Sequence, residues 1–279
     1  MTAGLALFLA LDLVLVALAL RRAPTPAPAG TSPPAGSPSS SQDGSKHPSS
    51  AAFVAVDRDG TILRTARGRC RQRTSPAVDI SNDRGKSFEP TTVPGLSEVV
   101  AIDRASRGGF EIIGLGKRCR IGRFTDDGST WHRRSGDAGT WHLTRTGPNR
   151  EVVSPQGRSA IPCVPRDLSA IDQSYARVLC RDGRIAGTDD GGGSWVFLGH
   201  LAGAVAMDFN GISDGVAVTT GKRCPAAVEL TKDAGATWRQ VACLAGSGPC
   251  AVSSMGDLIV AQVGRRTYVS TDAGATFRS

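Results

Sequence analysis

The chain has 279 residues, 34 of them glycine and only 5% aromatic, which leaves room for one large domain or two small ones. Of its formal charge of +8, residues 1–50 hold Arg21, Arg22 and Lys46 against Asp12 and Asp43, so +7 belongs to the remainder and favours anionic partners. Seven cysteines with no CxxC pair and no Cys/His cluster at metal spacing exclude a zinc site, and no metal or cofactor is expected.

The N-terminus opens on an apolar run, Ala3 to Leu20, broken only by Asp12. Its eleven Leu, Val and Phe residues, at roughly −0.3 to −0.6 kcal/mol each, outweigh one mid-span Asp at about +3 kcal/mol. Residues 1–22 therefore read as a membrane anchor or signal segment. Small residues at signal-peptidase spacing stand at Ala17-Leu18-Ala19 and at Ala27-Pro28-Ala29, which leaves cleavage open. Arg21 and Arg22 follow the run, and by the positive-inside rule they would hold the rest of the chain in the cytoplasm. The seven cysteines, all beyond residue 51, argue for export instead, paired as disulfides with one left over. Residues 23–51 are rich in Pro, Ser, Ala and Gly, have almost nothing apolar to bury, and read as an extended tether. The expectation is an extracytoplasmic protein, anchored or secreted, with nucleic acid not among its partners.

Beyond residue 22 no Pro-free stretch of helical length shows a 3.6-residue apolar period, and short alternating runs between Gly, Asp and Ser point to an all-β domain over 52–279. One eight-residue pattern recurs five times there. The copies are Ser81-x-Asp83-x-Gly85-x-Ser87-Phe88, Phe124-x-Asp126-x-Gly128-x-Thr130-Trp131, Thr188-x-Asp190-x-Gly192-x-Ser194-Trp195, Thr231-x-Asp233-x-Gly235-x-Thr237-Trp238 and Ser270-x-Asp272-x-Gly274-x-Thr276-Phe277. The frame describes a hairpin. The Asp carboxylate accepts backbone N–H groups of its own turn, the Gly supplies a positive φ, the hydroxyls lock the strand ends, and the closing aromatic returns to the core.

This frame resembles the Asp-box (BNR) repeat, which marks the hairpin between the third and fourth strands of a blade in sialidase-like propellers and in photosystem II assembly-factor-like propellers. The resemblance covers residues 52 to 279 and implies a β-propeller of four-stranded antiparallel blades; it says little about function. In the fourth copy's unit, strands are expected at 203–209, 214–219, 224–231 and 238–243, and in the second's at 97–103, 110–115, 119–124 and 131–134. The repeat aromatics are spaced 43, 64, 43 and 39 residues apart. The long interval holds either one blade with an insertion or two short ones, the extra blade at 151–163 having lost its repeat, so six blades are expected, with five the alternative. Ser135 to Trp141 mimics a shortened repeat but follows Trp131 too closely to be a blade of its own. The five closing aromatics are expected to be substantially buried.

The resemblance also locates function. The repeat aspartates are structural, on the face opposite the usual ligand site. The loops between second and third strands share a basic string, Gly116–Cys119 and Gly221–Cys224, echoed at Arg67–Cys70. They place Arg67, Arg69, Arg71, Lys117, Arg118, Arg120, Lys222 and Arg223 around the mouth of the central channel. Sialidases add an arginine triad, a tyrosine nucleophile and a Phe-Arg-Ile-Pro-like motif. That motif is missing here, and Tyr175 and Tyr268 read as strand or core residues. His47, His132, His142 and His200 read as surface or packing groups. The reading is a non-enzymatic recognition propeller binding a protein or an anionic glycan on its channel face, with a sialidase-like glycoside hydrolase as the alternative and a purely structural envelope protein as a third possibility. If the fourth repeat turns near Ala234, Thr231 lies opposite Thr237 and Cys224 falls within one residue of the position opposite Cys243, which predicts a Cys224–Cys243 disulfide; Cys243–Cys250 is the rival.

Overall fold

The structure, a computed structural model, describes residues 52–71, 75–105, 108–126, 130–144 and 151–279. The N-terminal segment 1–22, the linker 23–51 with His47, and Gly128 of the second repeat lie outside the described residues.

Six antiparallel sheets follow one another along the chain. Blade 1 is β1 (Ala52–Val56), β2 (Ile62–Ala66), β3 (Val78–Ser81) and β4 (Glu89–Thr91). Blade 2 is β5 (Glu98–Arg104), β6 (Phe110–Leu115), β7 (Ile121–Asp126) and β8 (Trp131–Ser135). Blade 3 has three strands, β9 (His142–Leu143), β10 (Glu151–Ser154) and β11 (Gly157–Ala160). Blade 4 is β12 (Pro165–Ala170), β13 (Ala176–Cys180), β14 (Arg184–Thr188) and β15 (Val196–His200), and blade 5 is β16 (Ala204–Phe209), β17 (Gly215–Thr219), β18 (Ala226–Thr231) and β19 (Arg239–Leu244). Blade 6 is β20 (Cys250–Met255), β21 (Leu258–Val263) and β22 (Arg266–Ser270), with Arg278 bridging to Val269 as the rudiment of a fourth strand. The first strand of each blade touches the first strand of the next, and β1 touches β20, so the ring closes as a six-bladed propeller.

The long interval between Trp131 and Trp195 thus holds one complete blade and one that has lost its repeat. The Ser135–Trp141 stretch forms the turn leading into β9, where Thr140 Oγ1 donates to the Asp137 carbonyl at 2.6 Å.

The core lies between blades rather than in one central mass. Clusters of buried aliphatic side chains fill the junctions of blades 6 and 1, 1 and 2, 3 and 4, 4 and 5, and 5 and 6. A repeat aromatic of the later blade packs into each: Phe88, Trp131, Trp195, Trp238 and Phe277 respectively. Blade 3, without a repeat, has no closing aromatic, and the Trp141 before β9 packs into the junction with blade 4; the junction with blade 2 is the one without such a cluster among the described residues. All five aromatics are half-buried, short of the burial expected from their sequence positions. Trp131 opens the outer strand of its blade and Phe88, Trp195 and Trp238 stand one residue before theirs, at the periphery of the ring; the sealed aromatic positions are Phe110, Phe124 and Phe209. Trp238 meets Phe209 edge-on at 6.1 Å and Trp195 meets Trp141 at 6.3 Å.

The repeat turns share one hydrogen-bond pattern. In the third copy Thr188 Oγ1 donates to Asp190 Oδ1 (2.8 Å) and accepts from Gly192 N (3.0 Å), while Asp190 takes Ser194 N (2.9 Å) and Ser194 Oγ (2.7 Å) on its two oxygens. Ser81/Asp83/Ser87, Thr231/Asp233/Thr237 and Ser270/Asp272/Thr276 repeat it. These bonds favour the ionised carboxyl: Asp190, Asp233 and Asp272 are lowered to about 2 from 3.8, and Asp83 falls further. In the four described repeat turns the residue before the repeat glycine is also left-handed, at φ 58° for Arg84, 73° for Gly191, 61° for Ala234 and 55° for Ala273, so these turns take two positive φ values and in three of them only one falls on glycine. The second copy has Phe124 where the others have a hydroxyl; Phe124 is buried in the core instead. The four described turns lean on the preceding blade. The Gly199 Cα stands so close to the Gly235 carbonyl that a Cβ there would lie 2.0 Å from its oxygen, and a Cβ on Gly85 would meet Val269 at 2.7 Å where the ring closes.

Candidate functional site

Strands within a blade alternate in direction. Links between blades and the loops after second strands therefore emerge on one face, and the repeat hairpins on the other. The six first strands enclose a channel of about 680 Å³. Arg67, Arg166, Thr220 and Gly248–Cys250 stand at the mouth on the loop face, and Phe53, Ile102, Leu168 and Val252 form apolar wall between.

Near the repeat face the channel is crossed by an ion pair. Arg104 of blade 2 donates from Nη2 to Asp208 Oδ2 of blade 5 at 2.8 Å, between blades that face each other across the ring. Arg104 also donates to the Val56 carbonyl (2.8 Å) and the Ser254 carbonyl (2.8 Å). Asp208 further accepts Ser254 N (2.7 Å), Ser253 Oγ (3.1 Å) and Ser169 Oγ (2.9 Å). One guanidinium and one carboxylate thus tie together blades 1, 2, 4, 5 and 6. Two more carboxyls line the same channel. Burial pushes Asp103 up to about 6, against the hydrogen bond it accepts from Arg104 N (2.7 Å) and the pull of the Arg104 charge. Burial likewise pushes Asp167 up to about 6, although it accepts Met207 N (2.9 Å) and Leu168 N (3.0 Å). Burial also lowers the pKa of His142, whose Nε2 lies 3.2 Å from Asp137 Oδ2.

Of the eight basic residues singled out from the sequence, Arg67 stands at the channel mouth, whereas the other seven are exposed on the loop face and line no part of the channel. The loops after second strands reach the mouth only at their first residues, Arg67 after β2 and Thr220 after β17, and the rest of the mouth is built by the first strands and the links that feed them. The seven fall into two groups: Lys222 and Arg223 on blade 5, and Arg69, Arg71, Lys117, Arg118 and Arg120 on the adjoining loops of blades 1 and 2. In the second group a disulfide, Cys70–Cys119, joins the two loops with Cα atoms 5.5 Å apart. Its Lys117–Cys119 turn holds Arg118 and Cys119 at left-handed φ of 60° and 55°. Cys70 N also donates to Glu98 beneath the loop (3.1 Å). Among the described residues none of the five cations has a carboxylate within ion-pair reach.

Cys224 and Cys243 are bonded within blade 5, Cα atoms 5.6 Å apart, and Cys163 pairs with Cys180 in blade 4. Cys250 stays free. The hairpin register differs by one from the sequence expectation: Leu230 faces Arg239, and a bulge at Val228/Glu229 moves it on so that Ala227 faces Cys243. Cys224 closes the gap from beyond the strand end. Tyr268 donates its hydroxyl to the Ala245 carbonyl, and Tyr175 sits in the turn between β12 and β13.

Arg104, Asp208, Asp103 and Asp167 were not singled out from the sequence. One signal was available: Asp103 and Asp208 each stand seven residues before the start of the second strand in their blades.

No protein-family model and no curated protein matches the chain. Among solved structures it is similar to a GH74 xyloglucanase from Xanthomonas campestris, 19% identical over 82% of this chain and 38% of that one, with a TM-score of 0.34. It is also similar to YCF48 bound to D1 peptide, at 16% identity over 83% of this chain and 82% of that one (TM-score 0.41). A GH74 enzyme from Niastella koreensis follows at 13% identity, over 81% and 40% (TM-score 0.36). The chain spans about two fifths of the length of the two glycoside hydrolases.

Proposed function

We propose that this chain is a non-enzymatic recognition scaffold, exported and held at a membrane by residues 1–51, that takes an anionic partner, protein or glycan, on the loop face of blades 1 and 2. The observation that carries the reading is the group Arg69, Arg71, Lys117, Arg118 and Arg120, exposed and, among the described residues, without carboxylates in ion-pair reach, on two loops tied by one disulfide. Unneutralised cations held this close cost self-repulsion, which an anionic ligand relieves. Three disulfides suit an oxidising compartment. Titration calorimetry with a sulfated oligosaccharide and with an acidic peptide tests the reading: binding that weakens steeply with salt and is lost in Arg118→Ala/Arg120→Ala supports it, and no binding to either ligand refutes it.

A glycoside hydrolase reading has one observation in its favour, the channel carboxyls of Asp103 and Asp167 with pKa values near 6, a range suited to a general acid. Turnover of a fluorogenic sialoside or β-glucoside that disappears in Asp103→Asn would replace the scaffold reading.

A further inference from the structure

The three disulfides differ in their surroundings. Cys163 and Cys180 are both buried, and in the third bridge a buried Cys224 is paired with an exposed Cys243. Cys119 is exposed and Cys70 half-buried, so Cys70–Cys119 has a side open to attack and no buried cysteine. It is also flanked in sequence by cations on both sides, Arg69 and Arg71 next to Cys70, Arg118 and Arg120 next to Cys119. Positive charge stabilises a thiolate, lowers its pKa and makes it a better leaving group. The same bridge spans two blades, where the other two lie within one.

We infer that Cys70–Cys119 is a redox-labile clamp that assembles the basic site of blades 1 and 2, so that reduction by a dithiol disperses the site and lowers its affinity for a sulfated glycan. This rests on the anion-binding reading above. A thiolate of the dithiol attacks Sγ of Cys119, forming a mixed disulfide and expelling the Cys70 thiolate. The second thiolate of the reductant then attacks its own sulfur in that mixed disulfide, closing to the oxidised reductant and expelling the Cys119 thiolate. The two electrons gained by the cysteines are those the dithiol loses.

The bridge is what sets the cations together. It joins loops that belong to separate sheets, and it ends in a turn whose Arg118 and Cys119 are both left-handed without being glycine, a conformation that persists only where the surroundings impose it. Once the bridge opens, that turn is free to relax and five like charges push the loops apart. The ligand class follows from what the site lacks. Val196, Phe197 and Ile212 are the large apolar side chains that stand exposed among the described residues, and all belong to blades 4 and 5. Protein segments bind through buried apolar anchors; a densely sulfated chain needs only closely spaced cations.

The experiment uses the full chain, oxidised, and a sulfated hexasaccharide as probe. The protein is exposed to graded dithiothreitol, free thiols are alkylated and mapped by mass spectrometry, and affinity is measured on the same samples. The expected result is labelling of Cys70 and Cys119 before the other four paired cysteines, with affinity falling at least fivefold in step, and a Cys70→Ser/Cys119→Ser variant that binds weakly whatever the redox state. Labelling of Cys163 and Cys180 or of Cys224 and Cys243 first, or unchanged affinity once 70 and 119 are labelled, overturns the inference and leaves the scaffold reading standing. Should the oxidised protein not bind the hexasaccharide at all, the inference falls; if it also ignores the acidic peptide, the scaffold reading falls with it. Because the reduction series uses the native protein, the result does not depend on the serine variant folding.

Discussion

The Arg104–Asp208 pair makes the strongest demand on the fold. Replacing Asp208 by Ala strands a guanidinium whose own side chain is 21% exposed and removes the acceptor of Ser169 Oγ, Ser253 Oγ and Ser254 N. Breaking a buried pair by deleting one member costs about 3–5 kcal/mol. Residual exposure at this site argues for the lower end, about 3 kcal/mol. For a domain of this size, each kcal/mol moves Tm by roughly 2–4 °C, so the midpoint should fall by about 6–12 °C. Arg104→Ala should cost a similar amount by leaving the Asp208 carboxylate uncompensated, and the double variant should cost far less than the two singles together, with a coupling of about 2 kcal/mol or more. Thermal unfolding followed by circular dichroism on the four proteins of the cycle reads this directly. Additivity to within about 0.5 kcal/mol would mean that the pair is not a unit, and the account of five blades tied through it would be wrong.

At the repeat turns, Gly199→Ala should destabilise by about 2–3 kcal/mol, since its Cβ would overlap the Gly235 carbonyl, whereas Ala234→Gly should gain about 0.5 kcal/mol by relieving a left-handed alanine; chemical denaturation compares them. The pH profile should show opposed contributions. The lowered repeat aspartates support the fold above their unfolded value near 4, a support lost as pH falls towards 2, while the raised Asp103 and Asp167 support it below about 4 and lose that support as pH rises to about 6. Asp103→Asn should therefore flatten the step between pH 4 and 6, worth up to about 3 kcal/mol, and leave the step below pH 4 in place; an unchanged upper step in a denaturation series across pH would contradict the assignment. Non-reducing peptide mapping of protein purified without reductant should recover Cys224–Cys243, with Cys250 unpaired; a Cys243–Cys250 peptide would overturn that pairing.

What the sequence displayed plainly was whatever repeats in register. The copies of the frame located the third and fourth strands of their blades to within a residue or two, because the Asp and hydroxyl positions carry their own local chemistry. Less visible were features without a residue signature. Arg84, Ala234 and Ala273 take positive φ although neither Arg nor Ala advertises it, and the bulge at Val228/Glu229 that shifts the Cys224–Cys243 register leaves no mark in the composition. The channel ion pair was out of reach for a geometric reason: Arg104 and Asp208 are 104 residues apart and meet only because six blades place the second opposite the fifth. Of the predicted basic residues, whose loops were expected at the channel mouth, only Arg67 stands there, because these loops reach the axis only at their first residues.

The junction of blades 2 and 3 bears on how this ring comes apart. Five seams are filled by aliphatic clusters and a repeat aromatic; this one has a two-residue first strand, His142–Leu143, on one side and no matching cluster among the described residues. A closed ring must break somewhere before any blade can leave it, and the cheapest break is where least apolar surface is re-exposed. Partial opening should therefore begin as a single slit beside β9, with the remaining five seams still shut. Native-state hydrogen exchange would register it as amides of Leu143 and β10 exchanging through a smaller opening than those of β17 or β21. The repeat missing from blade 3 then amounts to a hinge line, the position at which this propeller behaves as an open strip and not as a circle.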